Sequence, residues 1–333
     1  MDWNKGFSAA CYACIVDPVT WCDMEKFDIK DGTITKSAST LIEAADILAD
    51  TEIQGEKWIR VHMDAQQEGA SDHTAVFTGL ATAPQQNIRW SRKEHTLECY
   101  SVLKPAEDIL LPRGYYIPAG TSGKDALLEL LGATPAPVEV EDIIPKLMNT
   151  IVAEQGENNL SMVVKVLKAV DRRIRIKGDG TIWICNKAMD PAASFDAIGN
   201  DCIEPSFAMT NDWFSCPNVL RVVTEDQTVT VIDDDEDSAL STVKRGREVW
   251  MEETDCILSG EESLEAYAQR RLKEEQAKGY EISYSRRFNP EITISDIVKL
   301  RYPEQKLNGN YRVIAQRIDL GHNCRTEEQV EYC

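Results

Sequence analysis

Ile294-Ser-Asp-Ile-Val-Lys-Leu-Arg-Tyr-Pro303, followed by Leu307-Asn-Gly-Asn-Tyr-Arg-Val-Ile-Ala-Gln-Arg-Ile-Asp-Leu-Gly-His322, carries more information than any other part of the chain. It reads as two strands joined by a Gly-containing turn. Ile297 and Leu300 are apolar positions in the first strand, and Val313, Ala315 and Ile318 in the second, with polar residues between them. Two such strands form the closing hairpin of a β-barrel.

Working outward, residues 10 to 103 are strand-rich. Lys57 to Asp64 alternates, with Ile59, Val61 and Met63 on one face and Arg60 and His62 on the other. Thr74 to Leu80 and Thr96 to Val102 follow the same pattern, and Gly32, Gly55, Gly69 and Gly79 punctuate the runs. Several short strands of this kind imply a small barrel or sandwich.

Residues 104 to 190 change character. Ser122 reads as an N-cap, Leu127, Leu130 and Leu131 as a core face, and Gly132 as a terminator. A second helix is predicted over Ile143 to Val152 and a third after Asn158-Asn159, with Leu160, Val163, Val164 and Leu167 inward. A hairpin then turns at Gly178-Asp179-Gly180, matching Ile174 and Ile176 with Ile182 and Ile184.

Beyond residue 191 strands return, at Asn218 to Val223 and Thr228 to Ile232. One strong helix, 261–278, is predicted from a Ser259/Glu262 capping box, a Leu264–Tyr267–Ala268–Leu272 stripe and a terminating Gly279. It is expected to pack on the second β domain. The predicted fold class is mainly β with an α+β insert. A first β-barrel (1–103) is followed by an α/β middle domain (104–190) and a second β-barrel with the inserted helix (191–333).

Three phrases of this chain resemble the baseplate hub proteins of tailed phages and phage-like particles, the family of the late-control D proteins. They are Val76-Phe-Thr-Gly79, the helix followed by the Asp179-Gly-Thr181 hairpin, and Asp296, Val298 and Leu300 with Leu307, Gly309, Tyr311, Arg312 and Val313. The resemblance implies tube-like barrels and a homotrimeric ring that joins the tail tube, or a distal tail protein, to the central spike. It also implies contacts with baseplate wedge proteins, passage of DNA or a tape-measure protein, and a place in the virion tail baseplate after assembly in the host cytoplasm. The particle would be a phage, a prophage remnant or a phage-like bacteriocin, a contractile injection system or one with a long non-contractile tail.

Composition sets bounds. Of 333 residues, 43% are hydrophobic and 28% charged, as in ordinary globular chains. The net charge of −20 argues against stable nucleic-acid binding, which draws on Lys and Arg, and against docking on anionic membrane. No run approaches the roughly 18 apolar residues of a membrane span, so no membrane anchor is expected. The stretch Phe7 to Val16 lacks the basic start of a signal peptide.

Chemistry-bearing patterns are sparse. Ser71, Asp72 and His73 are consecutive, whereas a triad converges from separate segments; the stretch reads as an exposed turn. Asp233 to Asp237 spaces acids like a calcium loop, but Ser238 stands where Gly is required and Lys244 where Glu is required. Cys11 and Cys14 form one C-x-x-C pair, whose nearest complement is His322 and Cys324, and the ten cysteines read as reduced thiols. The expectation is no catalytic, cofactor or metal residue and no enzyme. The alternative is a tail-associated cell-wall hydrolase or peptidase with an unrecognised site, which would require convergent carboxylates or a metal. The doublets Arg172-Arg173, Arg270-Arg271 and Arg286-Arg287 fit either solvated faces or pairing between subunits.

Overall fold

The computed structural model describes residues 1–333 except 90, 91, 142, 199–201, 212, 225, 226, 255, 257, 259–261, 322 and 323. Ser259, Glu261 and His322 of the sequence reading therefore lie outside the described residues.

Six strands open the chain: β1 (Ser8–Val16), β2 (Asp23–Ser37), β3 (Glu43–Ala49), β4 (Lys57–Gln67), β5 (Ala70–Arg89) and β6 (Arg92–Ser101). Their pairing runs β1-β4-β5-β6-β3-β2 and returns to β1, which closes a barrel. Alternation sends Ala13, Phe27, Ile34, Ile47, Ile59, Val61, Met63, Phe77 and Leu97 into one core. Val61 and Met63 project inward as the sequence implied, but Arg60 and His62 on the opposite face are also buried.

A helical layer with short strands follows: α1 (Lys104–Asp108), β7 (Tyr116–Ile117), α2 (Gly123–Leu131), β8 (Val138–Val140), β9 (Ile151–Val152), α3 (Asn159–Ala169), β10 (Arg172–Ile176) and β11 (Ile182–Asn186). Ser122 caps α2 by accepting from the Asp125 N–H, and Asn158 caps α3 by accepting from the Ser161 N–H. The predicted helix over Ile143 to Val152 does not form. Pro145 lies inside it and drives the preceding residue to extended backbone. Leu147 instead exchanges backbone hydrogen bonds with the 120–121 loop, and Ile151 pairs with Ile117. The hairpin β10–β11 has the expected register, Ile174 opposite Ile184 and Ile176 opposite Ile182.

The second β region holds β12 (Pro191–Asp196), β13 (Ile203–Asn211), β17 (Tyr280–Arg286), β18 (Ile297–Tyr302), β19 (Leu307–Asp319) and β20 (Thr326–Tyr332). Phe195, Ile203, Tyr284, Leu300, Val313 and Val330, one from each strand, meet in a single core. Between β13 and β17 the chain builds β14 (Val219–Val223), β15 (Thr228–Ile232), α4 (Thr242–Arg245), β16 (Trp250–Glu253) and α5 (Leu264–Ala277). The stripe Leu264, Tyr267, Ala268 and Leu272 is buried as predicted. Its partners are Leu220, Val222 and Val231 of a separate sheet, β15-β14-β16, rather than the barrel strands. Ser263 caps α5 by accepting from the Ala266 N–H.

The strands of the opening quotation are β18 and β19, joined by a 3-10 turn at Pro303–Gln305 and by Lys306 in the left-handed region at φ 57°. Gly309 is not in that turn but opposite Leu300 in the ladder. A bulge between Val313 and Ala315 shifts the register, so Gln316 and Ile318 turn inward and Ala315 outward. Val313 belongs to the second core, whereas Ile318 belongs to the first. The bulge is where β19 passes from one barrel to the other. Among the described residues no helix is long and apolar enough to cross a membrane.

Candidate assembly face

β2 pairs with β19 from Ser37 opposite Ala315 to Thr33 opposite Asp319. That ladder fuses the two barrels into one sheet, β5-β6-β3-β2-β19-β20-β17-β13. One side of this sheet lines the two cores; the other is polar and contains an open depression of about 620 Å³. Across its middle runs an uncharged row in register, Ser37, Ala315, Gln329, Ser283 and Ala208, all small but Gln329. Flanking rows carry acids. Asp319 faces Thr33, Thr33 faces Asp46, and Asp46 faces Glu98. On the other side Arg312 faces Glu331, and Glu331 faces Glu281.

Like charges directly across a ladder destabilise it, and this face holds two such pairs, Asp46–Glu98 and Glu281–Glu331. The guanidiniums nearby are tied locally. Arg317 lies 3.7 Å from Asp319, and Arg325 bridges Glu204 at 3.1 Å and Glu327 at 3.6 Å. The face is uncharged along its central row and carries acids on both flanks.

Beneath it, buried polar groups hold the strands together. The Glu328 carboxylate is fully buried and accepts from Arg286 at 2.6 Å, from Gln316 at 2.6 Å and from the Tyr284 hydroxyl. Burial pushes this carboxyl up, but Arg286 and the hydrogen bonds hold it below the usual carboxylate range. Burial and the adjoining Glu328 push the Tyr284 phenol well up. Lys36 and Glu43, also buried, pair at 3.2 Å on β2 and β3.

The middle region clamps both barrels. Arg173 and Arg175 donate to Asp296 at 2.9 and 3.3 Å, and Asp296 also accepts the Thr293 N–H. At the other end the Gly178–Gly180 tip docks on the first barrel. Thr78 donates to the Gly178 carbonyl at 2.8 Å, and Arg60 and Trp21 both donate to the Asp179 carbonyl at 2.9 Å. A Cβ on Gly178 would stand 1.8 Å from the Ala75 carbonyl oxygen, so only glycine fits this approach.

The Arg doublets are therefore occupied within the chain. Arg270 pairs with Glu262 and Glu274, Arg271 with Glu253, Glu274 and Glu275, and Arg286 with Glu328. Arg172 donates to the carbonyls of Ile143 and Asp171, and Arg287 to that of Asn4. A bare solvated face, one of the two readings from sequence, does not describe them. The signal that sequence reasoning missed was charge inside a strand pattern: Glu328, Arg286 and Lys36 occupy inward positions where apolar residues are the rule.

Other candidates separate in space. Ser71 to His73 lie in β5 beyond a turn at Glu68-Gly69, with His73 opposite Asp64 and 2.6 Å from its carboxylate. Asp233 turns inward, accepting from Ser238 and Gln276 at 2.7 and 2.8 Å. Cys11 and Cys14 project to opposite faces of β1. Cys11 Sγ lies 4.0 Å from Cys324 Sγ, whereas Cys14 joins Asp23 and His62 on the outer face.

No protein-family model matches the chain, and no curated protein does. Solved structures do. The tail protein of Neisseria meningitidis MC58 gives a TM-score of 0.73 at 13% identity, over 97% of this chain and 96% of that one. The 43 kDa tail protein of prophage MuSo2 from Shewanella oneidensis gives 0.64 at 14% identity, over 97% of each chain. The chain has the fold of phage tail proteins. The Francisella PdpA–VgrG complex shares the tail-protein fold at a TM-score of 0.59 and 7% identity, over 98% of this chain and 58% of that one.

Proposed function

We propose that the protein is a non-enzymatic structural component of a phage or phage-like tail, and specifically its baseplate hub. Three copies would form a ring joining the tail tube, or a distal tail protein, to the central spike, with wedge proteins outside. The observation that carries this reading is the β2–β19 ladder. It puts two six-stranded β modules side by side in one rigid sheet, so three chains can offer six such modules to a sixfold tube. The division into a first barrel (1–103), a middle unit (104–190) and a second barrel with its insertion (191–333) belongs to the same proposal.

The polar, acid-flanked face is assigned to the lumen. Carboxylates repel phosphate over about a Debye length, roughly 8 Å at physiological salt, so such a wall keeps a passing duplex from adhering. A basic wall would instead gain counterion-release affinity and trap it. The virion baseplate would be its location, after assembly in the host cytoplasm.

Co-expression with the tube and spike proteins of the same particle tests the reading. A complex of all three that survives moderate salt, and shows no retention of duplex DNA at low salt, is expected. Failure to associate with either partner contradicts the hub assignment. DNA retention by the assembled ring contradicts the lumen assignment alone.

A further inference from the structure

β1 runs between β2 and β4, and on the outer face of the barrel three neighbouring strands bring unlike donors together. Register sets Cys14 opposite Arg60, Tyr12 opposite His62, and Val16 opposite Asp23. The Cys14 sulfur, an Asp23 carboxylate oxygen and a His62 ring nitrogen all lie within 4.8 Å of one another. We propose that Cys14, Asp23 and His62 bind one zinc-class divalent ion.

The surroundings suit that chemistry. His62 is 6% exposed, and its Nδ1 has no hydrogen-bond partner although it is buried. The ring nitrogen on the Asp23 side is Nε2, 2.8 Å from Oδ2, so an ion held by this carboxylate would take Nε2 in place of that hydrogen bond. Burial also pulls the imidazole toward its neutral form, the form that ligates. The ring is held in place by stacking on Tyr12 at 5.2 Å and on His73 at 4.9 Å. Asp23 gives its Oδ2 to His62 at 2.8 Å, and its Oδ1 accepts from Arg60 at 2.6 Å. A guanidinium on the second oxygen of a ligating carboxylate is the outer-layer support that metal sites use.

One sulfur, one nitrogen and one oxygen select borderline metals over calcium or magnesium, which take oxygen. Ligand atoms of a tetrahedral zinc stand about 3.3–3.8 Å apart, from bond lengths near 2.0–2.3 Å. Cys14 and His62 are buried, whereas Asp23 reaches solvent, which leaves a fourth position for water and a path for the ion. Burial and the Asp23 carboxylate push the Cys14 thiol up, with Lys26 and Arg60 opposing them, so a bound ion must expel the thiol proton. The ion would tie β1 to both its neighbours, next to the Arg60–Asp179 contact with the middle region.

Titration of the chelator-treated full-length protein with cobalt(II) tests the site. One equivalent is expected, with a thiolate-to-cobalt charge-transfer absorption that zinc abolishes by displacement. Cys14→Ser and His62→Gln should each lose the band, and Asp23→Asn should weaken binding at least tenfold. Cys11→Ser, on the opposite face, should retain the band. Absence of the band in the wild-type protein overturns the proposal, whatever the variants do. So does a band that persists in Cys14→Ser or disappears in Cys11→Ser.

Discussion

Glu328 shows how much of this molecule rests on charge placed where a strand pattern calls for apolar side chains. Its carboxylate and the Arg286 guanidinium are 0% and 1% exposed, and Tyr284 and Gln316 complete the shell. Removing one partner of a buried pair strands the other, so Glu328→Gln should cost about 3–5 kcal/mol. Replacing both partners by apolar residues of similar volume, Arg286→Met with Glu328→Leu, should cost far less, and urea unfolding of the two variants distinguishes them. The pH dependence has a definite sign. Because folding depresses the Glu328 carboxyl, its contribution is complete above the unfolded value, about 4.3, and disappears as pH falls through the lower folded value. The wild-type protein should lose stability below that range more steeply than Glu328→Gln does. Parallel acid-unfolding curves would remove Glu328 from the account. The sequence displayed Arg286 as half of a doublet but not its partner, because the pairing spans 42 residues and depends on a register that only the folded sheet defines.

Turns and caps were more legible than register. Ser122, Asn158 and the Gly178–Gly180 hairpin could be read directly because each acts within a few residues. The misread helix over Ile143 to Val152 had helical spacing, but Pro145 and pairing with the 117–121 segment override it. The stripe of α5 does pack on strands of the 191–333 region, but nothing local says that β14–β16 form their own sheet there. Leu272→Asp should cost several kcal/mol by placing a carboxylate against Leu220 and Val222. Hydrogen exchange should rise first in β14, β15 and α5, leaving the barrel strands protected; uniform loss across the chain would contradict a separate core. Gly178→Ala tests the other connection. The added Cβ meets the Ala75 carbonyl at 1.8 Å, so the hairpin tip must lift off the first barrel. Protease sensitivity around 177–181 should then increase while both barrel cores stay folded, and an unchanged digestion pattern would mean that the tip does not depend on this approach.

At the scale of the whole molecule, the outline of barrel, α/β middle and barrel could be read from the sequence. The fusion of the barrels into one sheet could not. That fusion rests on β2 meeting β19 across nearly 300 residues, and on a bulge at 313–315 that no alternation pattern announces. The face it creates holds opposed carboxylates at Asp46–Glu98 and Glu281–Glu331, which an isolated chain would not favour. A channel that must release a polyanion gives those pairs a reason. The account therefore depends most on ring formation. A trimer of this kind should bury well over about 1,000 Å² per contact, enough to persist in dilute solution. Light scattering of the purified protein at micromolar concentration, alone and with its tube or spike partner, measures the mass directly. The account predicts a species of three 37.4 kDa chains; a 37.4 kDa monomer under every one of these conditions would contradict it.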